Sequence, residues 1–161
     1  MPYSAHPPLP AEVLLELYAH ARREAPRECC GVVYGEPLQE PGARWLVRPA
    51  RNIQDELHAE DPAAFPRTAA TAYHLDAESL FALARSLGTA APARVVYHSH
   101  LEAGAYFSAT DQEAARLGAR PAYPVEHLVI DVRGGRVWGA AQFAWSPAAA
   151  AYVKVHSYPG E

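Results

Sequence analysis

Cysteine is nearly absent from the chain: there are two, Cys29 and Cys30, and they are adjacent. Neighbouring cysteines rarely bridge each other, so nothing points to the disulfide framework that holds small secreted domains together. The same adjacency argues against a closed thiolate zinc site, which needs its paired cysteines further apart. Long apolar runs are missing too. No stretch approaches the roughly 18 consecutive apolar residues of a membrane helix. The opening "MPYSAHPPLP" lacks the basic start and apolar run of a signal peptide. Positive charge is sparse and scattered, with 14 Lys+Arg against 18 Asp+Glu and a net charge of −4. No basic stripe therefore marks a nucleic-acid partner. The expectation from these absences is a cytoplasmic protein.

What is present is a chain of 161 residues, half of them apolar, which is enough for one core and short for two. Residues 1–9 are Pro-rich and expected to form a flexible leader to a single domain over 10–161. The 3.6-residue spacing of Val13, Leu14, Leu17, Tyr18 and Ala21 predicts a helix from about Pro10 to Ala25, which Pro26 ends. "GVVYG" (31–35) and "RWLVRP" (44–49) predict strands joined by a Pro/Gly turn. Residues 51–70 show no period and carry two prolines, so a long surface loop is expected there. "TAYHL" (71–75) reads as a short strand, and Asp76 as the N-cap of a helix closed by Gly88. Further strands follow at 93–100, 125–132, 137–145 and 151–156, with a short helix from Ser108 to near Gly118 and a Gly134-Gly135 hairpin turn. Helices interleaved with hairpins and single strands predict a three-layer α/β/α domain with a mixed central sheet.

The chemistry concentrates in "HSHLEAGAYFSATD", residues 98–111. On a strand, side chains alternate, so His98 and His100 share one face and Ser99 takes the other. Two imidazoles side by side at a strand end can both reach one ion. A chain with eight histidines also produces His-x-His by chance, and Ser108-Ala109-Thr110-Asp111 reads equally as a capping box at a helix start. These two meanings are compatible. An N-cap serine accepts a backbone N–H and keeps its own O–H free, and an aspartate in the first turn stays ionised beside the positive helix end. Two neutral imidazoles and a carboxylate would leave a tetrahedral ion one open corner, the pattern of catalytic rather than structural zinc. Tyr106 and Phe107 either line this site or pack beneath the loop.

His98-x-His100, followed after seven residues by Ser108-x-x-Asp111, resembles the signature of the JAMM/MPN+ (JAB-type) zinc metalloisopeptidases. The similarity extends over the order of elements from about Ala11 to Phe143. That family places a glutamate upstream in a context like P-x-E-x-C-G, and this chain has "PRECCG", with Glu28 in that position. Leu101 stands where the family usually has proline. The resemblance implies a fold related to the cytidine deaminases, with Zn2+ held by His98, His100 and Asp111. It also implies that Glu28 takes a proton from the attacking water and passes it to the departing amine. Ser108 would donate to the developing oxyanion, a contact worth on the order of 3 kcal/mol. Without the resemblance, Glu102, Glu113, Asp76, Glu126 and Asp131 are rival bases.

Family members cleave amide or isopeptide bonds after the C-terminal glycines of ubiquitin-like proteins. Short bacterial relatives are associated with ubiquitin-fold sulfur carriers, so a carrier with a Gly-Gly tail is the partner the resemblance implies. Two other functions stay open at this point: a non-catalytic MPN-type scaffold, and a zinc amidase acting on a small-molecule amide. A cysteine nucleophile has no base beside it in sequence, and the H-x-E and P-C-x-x-C pair of the zinc deaminases is missing. His6, His20, His58, His74, His127 and His156 lack partners at ligand spacing.

Overall fold

The computed structural model describes residues 6–37 and 42–161. Residues 1–5 of the expected leader, and part of the turn expected between the first two strands, lie outside the described residues. Helix α1 (Ala11–Glu24) buries Val13, Leu17, Tyr18 and Ala21, the face its periodicity marks. Strands β1 (Cys30–Gly35) and β2 (Trp45–Ala50) pair antiparallel. Helices α2 (Gln54–Glu60) and α3 (Ala77–Ser86) come next, and Asp76 caps α3 by accepting the Ser79 N–H. Strand β3 (Ala93–Leu101) leads into α4 (Ala109–Ala115) and a small hairpin of β4 (Arg116–Leu117) and β5 (Arg120–Pro121). The chain then adds β6 (Glu126–Arg133), β7 (Arg136–Ser146) and β8 (Ala151–Pro159).

The main sheet runs β2-β1-β3-β6-β7-β8. Its β3–β6 pair is parallel and its other pairs are antiparallel, so the sheet is mixed as expected. Alternation along the strands divides the core in two. Val33, Val95, Tyr97 and Ile130 face α1, whereas Cys30, Val32 and Val96 pack with Leu83 of α3. Ala115 of α4 packs with Val129 and Phe143 on the α3 side. The result is three layers, helix on either side of one sheet. Leu17 and Leu83 are fully buried, each contributing roughly 1.5–3 kcal/mol of transfer free energy. Gly31 lies opposite Tyr97, and a Cβ there would sit 2.4 Å from the Tyr97 hydroxyl. That close approach lets Tyr97 fill the sheet–helix gap, where its hydroxyl meets His20 Nδ1 at 2.8 Å.

Three details differ from the sequence expectations. The 51–70 segment contains helix α2 and is tied down by buried amides, described below. Residues 71–75 contribute only an isolated bridge, Asn52 to Leu75, in place of a strand. Helix α4 stops at Ala115, short of Gly118, because the next residues turn into the β4–β5 hairpin. At the N-terminal side, Leu9 is buried and its N–H donates to the Tyr158 hydroxyl at 2.9 Å, so packing already begins within the expected leader. Among the described residues, no helix is long and apolar enough to cross a membrane.

Candidate metal centre

Strand β3 delivers His98 and His100 to the α3/α4 face of the sheet, the face its even-numbered residue Val96 also occupies. Strand β1 lies beside it with Cys30 opposite His98. Extending that antiparallel register by two residues sets Glu28 beside His100, on the same face as Cys30 and Val32. Ser99, pointing the other way, secures this junction. Its hydroxyl accepts the Cys29 N–H at 2.8 Å, and its own N–H donates to Cys29 O at 3.1 Å. This pairing joins residues seventy positions apart in sequence.

From the facing side, α4 supplies Ser108 and Asp111 through a complete capping box. The Asp111 N–H donates to Ser108 Oγ at 3.0 Å, and the Ser108 N–H donates to Asp111 Oδ2 at 2.9 Å. The same Oδ2 lies 3.3 Å from His98 Nε2 and 3.3 Å from His100 Nε2. The two Nε2 atoms face each other at 3.1 Å. Ligands about 2.0–2.1 Å from a tetrahedral ion are separated by about 3.3–3.4 Å, so two edges of this triangle match a zinc ligand set and the third, at 3.1 Å, is slightly shorter. Glu28, His98 and His100 also form a group with one ligand atom each within 4.8 Å of one another. Glu28 is thus near the triangle, and Asp111 makes the shorter contacts with the two histidines.

Orientation is fixed from behind. The Gly104 carbonyl can only accept, so at 3.0 Å it takes the proton of His100 Nδ1 and leaves Nε2 with its lone pair towards the triangle. Tyr73 stacks on His98 at 4.2 Å between ring centroids, and Tyr106 stands edge-on to His100 at 4.9 Å. Gly104 adopts a positive φ of 95°, a conformation that suits glycine and brings its carbonyl under the ring. Leu101 continues β3 and pairs with Val132, so the strand keeps its direction without a proline.

The electrostatics suit a cation. Burial raises the Glu28 carboxyl to about 8, with Asp111 adding to the rise and His100 and Arg67 opposing it. Burial would also raise Asp111, but its contacts with His100, His98 and the Ser108 N–H outweigh burial and hold it well below the usual carboxylate range. His98 is lowered by burial despite Asp111. His100 is raised because Asp111 and Glu28 outweigh its burial. An ionised carboxylate facing two imidazole nitrogens at these distances is a donor set that fits a zinc ion.

The other candidate bases are engaged elsewhere. Asp76 caps α3, Asp131 pairs with Arg133 and Glu113 with Arg116. Glu126 meets His6 and accepts from Gln142, and Glu102 accepts the Gly134 N–H. Cys29 and Cys30 are buried, and burial pushes the Cys29 thiol up to about 12 and raises Cys30 as well. Neither ionises near neutrality. In the native protein, Ellman's reagent at pH 8 is expected to label neither thiol, and in denaturant both. Rapid native labelling of either would contradict this burial.

The two aromatics divide. Tyr106 is half exposed and lines the site pocket, a cavity of about 370 Å³ that also carries Glu28, His100, Ser108 and Asp111. Phe107 packs with Phe143 and Tyr152 in the core behind it. Sequence reasoning did not anticipate Tyr73, which walls His98, or Arg67, which lines the same pocket. Neither belongs to a spaced motif, so the sequence carried no signal for them.

Residues 10–146 match the family described as prokaryotic homologs of the JAB domain. The chain belongs to this family. Among the relatives of this JAB domain are the CysO-cysteine peptidases of Mycobacterium tuberculosis and Mycobacterium bovis, each 33% identical over 106 residues. That match covers 65% of this chain and 62% of the length of those relatives. Two solution structures, of proteins from Salinibacter ruber and Desulfitobacterium hafniense, share the fold with TM-scores of 0.57 and 0.60. Each is 20% identical, and each comparison covers 91% of the JAB-domain chain and 87% of the other protein.

Proposed function

We propose that this protein is a zinc-dependent peptidase that hydrolyses the amide bond after the C-terminal glycines of a small ubiquitin-like or sulfur-carrier protein in the cytoplasm. The observation that carries this is the triangle of His98 Nε2, His100 Nε2 and Asp111 Oδ2, with a buried Glu28 beside it in one pocket. The relatives' name, CysO-cysteine peptidase, supports peptidase action on a carrier protein.

In this mechanism His98, His100 and Asp111 would hold a zinc ion. When bound, it supplies Lewis acidity towards the scissile carbonyl and towards water. Glu28 accepts a proton from the attacking water and delivers it to the departing amine nitrogen, a role open to a buried carboxylate in the same pocket. Ser108 Oγ already accepts the Asp111 N–H, so its O–H is free to donate to the carbonyl oxygen as negative charge develops. His100 is oriented by its hydrogen bond to Gly104 O, and Tyr73 packs against the His98 ring. The site pocket adjoins a second cavity across Ala70 and Leu101, which line both. That continuity suits an extended protein tail better than a compact small-molecule amide.

The test combines metal analysis with a cleavage assay. Purified protein is expected to carry about one zinc per chain and to remove a residue added beyond the Gly-Gly end of a carrier protein, read by mass spectrometry. Stoichiometric zinc with no cleavage of any such carrier would instead indicate a binding module.

A further inference from the structure

We propose that Arg67 anchors the free α-carboxylate of the substrate's last residue, so that the pocket releases a single C-terminal amino acid rather than a side-chain-linked partner. The proposal rests on the peptidase reading and narrows its substrate class. Residues 51–70, expected as a long surface loop, carry its support. Asn52 and Gln54 are both buried, and their amides bind the loop to the catalytic segment. Asn52 Nδ2 donates to Glu28 O at 2.9 Å and to Ala72 O at 3.1 Å. Gln54 Nε2 donates to Arg67 O at 2.9 Å. The Glu28 N–H donates to Ala69 O at 2.7 Å, and the Ala69 N–H donates to Asp55 Oδ1 at 2.7 Å. Residues 67–72 are therefore held against Glu28 from both sides, and Arg67 is delivered to the pocket by a built scaffold.

Arg67 is the cation among the described Lys and Arg residues that lines this pocket. Arg67 is exposed and makes no ion pair within 4.0 Å with a carboxylate among the described residues, Glu28 being near enough to feel its charge. Arg27, next to Glu28 in sequence, differs: its guanidinium lies 3.8 Å from Asp55 and donates to Asn52 O, so it is committed to the scaffold. A guanidinium left open at a pocket mouth matches a carboxylate in bidentate geometry.

Position selects which carboxylate. Glu28 hands its proton to the leaving nitrogen, so groups beside Glu28 face the leaving half of the substrate. Arg67 is close enough for its charge to favour the Glu28 carboxylate. In a C-terminal amino acid, the α-carboxylate lies two bonds from the leaving nitrogen, within reach of a cation on that side. In a lysine isopeptide the leaving nitrogen sits at the end of an alkyl side chain and has no anionic group beside it. An arginine here rewards the first substrate and gives nothing to the second.

The experiment uses two peptides with the same carrier tail, Gly-Gly followed by one residue, ending in a free carboxylate or a carboxamide. The wild-type protein is expected to cleave the acid with kcat/KM about tenfold or more above the amide. Arg67→Ala brings that ratio towards one by slowing only the acid, and Arg67→Lys recovers part of it. A purely structural or Glu28-directed role for Arg67 would slow both peptides equally, and that result overturns the proposal, as does a wild-type protein that cleaves both at the same rate. Binding of the same pair to the Glu28→Gln protein, by calorimetry, gives a readout independent of turnover. If the acid binds more tightly there through Arg67 while wild type cleaves neither peptide, the anchor stands and the peptidase reading fails.

Discussion

Glu28→Gln is expected to leave zinc content unchanged while cutting hydrolysis by about 10²–10⁴-fold. Glutamine keeps the size of the buried side chain, which is 5% exposed, so no cavity opens and the β1–β3 junction is preserved. It cannot accept a proton from water, and that is the function assigned to Glu28. The measurement is kcat/KM on a Gly-Gly-extended carrier beside elemental analysis of the same preparation. The pairing matters because Glu28 lies within 4.8 Å of both histidine ligand atoms. Loss of zinc along with activity would make Glu28 a metal ligand instead. Retained activity would remove it from the mechanism altogether.

His100→Ala is expected to lose both metal and activity. Its Nε2 is 3.1 Å from His98 Nε2 and 3.3 Å from Asp111 Oδ2, so it forms one corner of the triangle. Removing that corner leaves one imidazole and one carboxylate, too few for the three protein ligands of a catalytic zinc site. His100 also lies at the pocket rather than in a core cluster, so the fold should survive the change. Zinc per chain is expected to fall from about one to near zero after dialysis, with circular dichroism unchanged. A variant with full zinc and full activity would sink the ligand assignment.

The parts of the site legible in the sequence are those built by local geometry. His98 and His100 share a face because strands alternate, and Ser108 and Asp111 belong together because a capping box spans four residues. Glu28 was different. Its place beside His100 depends on the register of β1 against β3, which no local pattern encodes, so only the family resemblance pointed to it. The fold class followed from periodicity, and α1 kept its expected face because Val13, Leu17, Tyr18 and Ala21 repeat at helical spacing. The 51–70 segment was misread for a physical reason. Its order comes from side-chain amides of Asn52 and Gln54 meeting distant backbone carbonyls, and such bonds leave no periodic trace. Helix α2 within it has seven residues and no side-chain cap, so the usual start signal was also missing.

The way this segment is fastened separates two kinds of inheritance. His98, His100 and Asp111 sit on β3 and α4, whereas part of the pocket's rim comes from a loop pinned by Asn52, Gln54 and Asp55. The tip of that loop, Asp61 to Pro66, is mostly exposed and lies outside the pins. An exposed tip of this kind tolerates substitution or insertion while the pinned residues stay in register. A protein engineer wishing to add a binding element beside the pocket would therefore graft at this tip and leave Glu28 and the histidines in register.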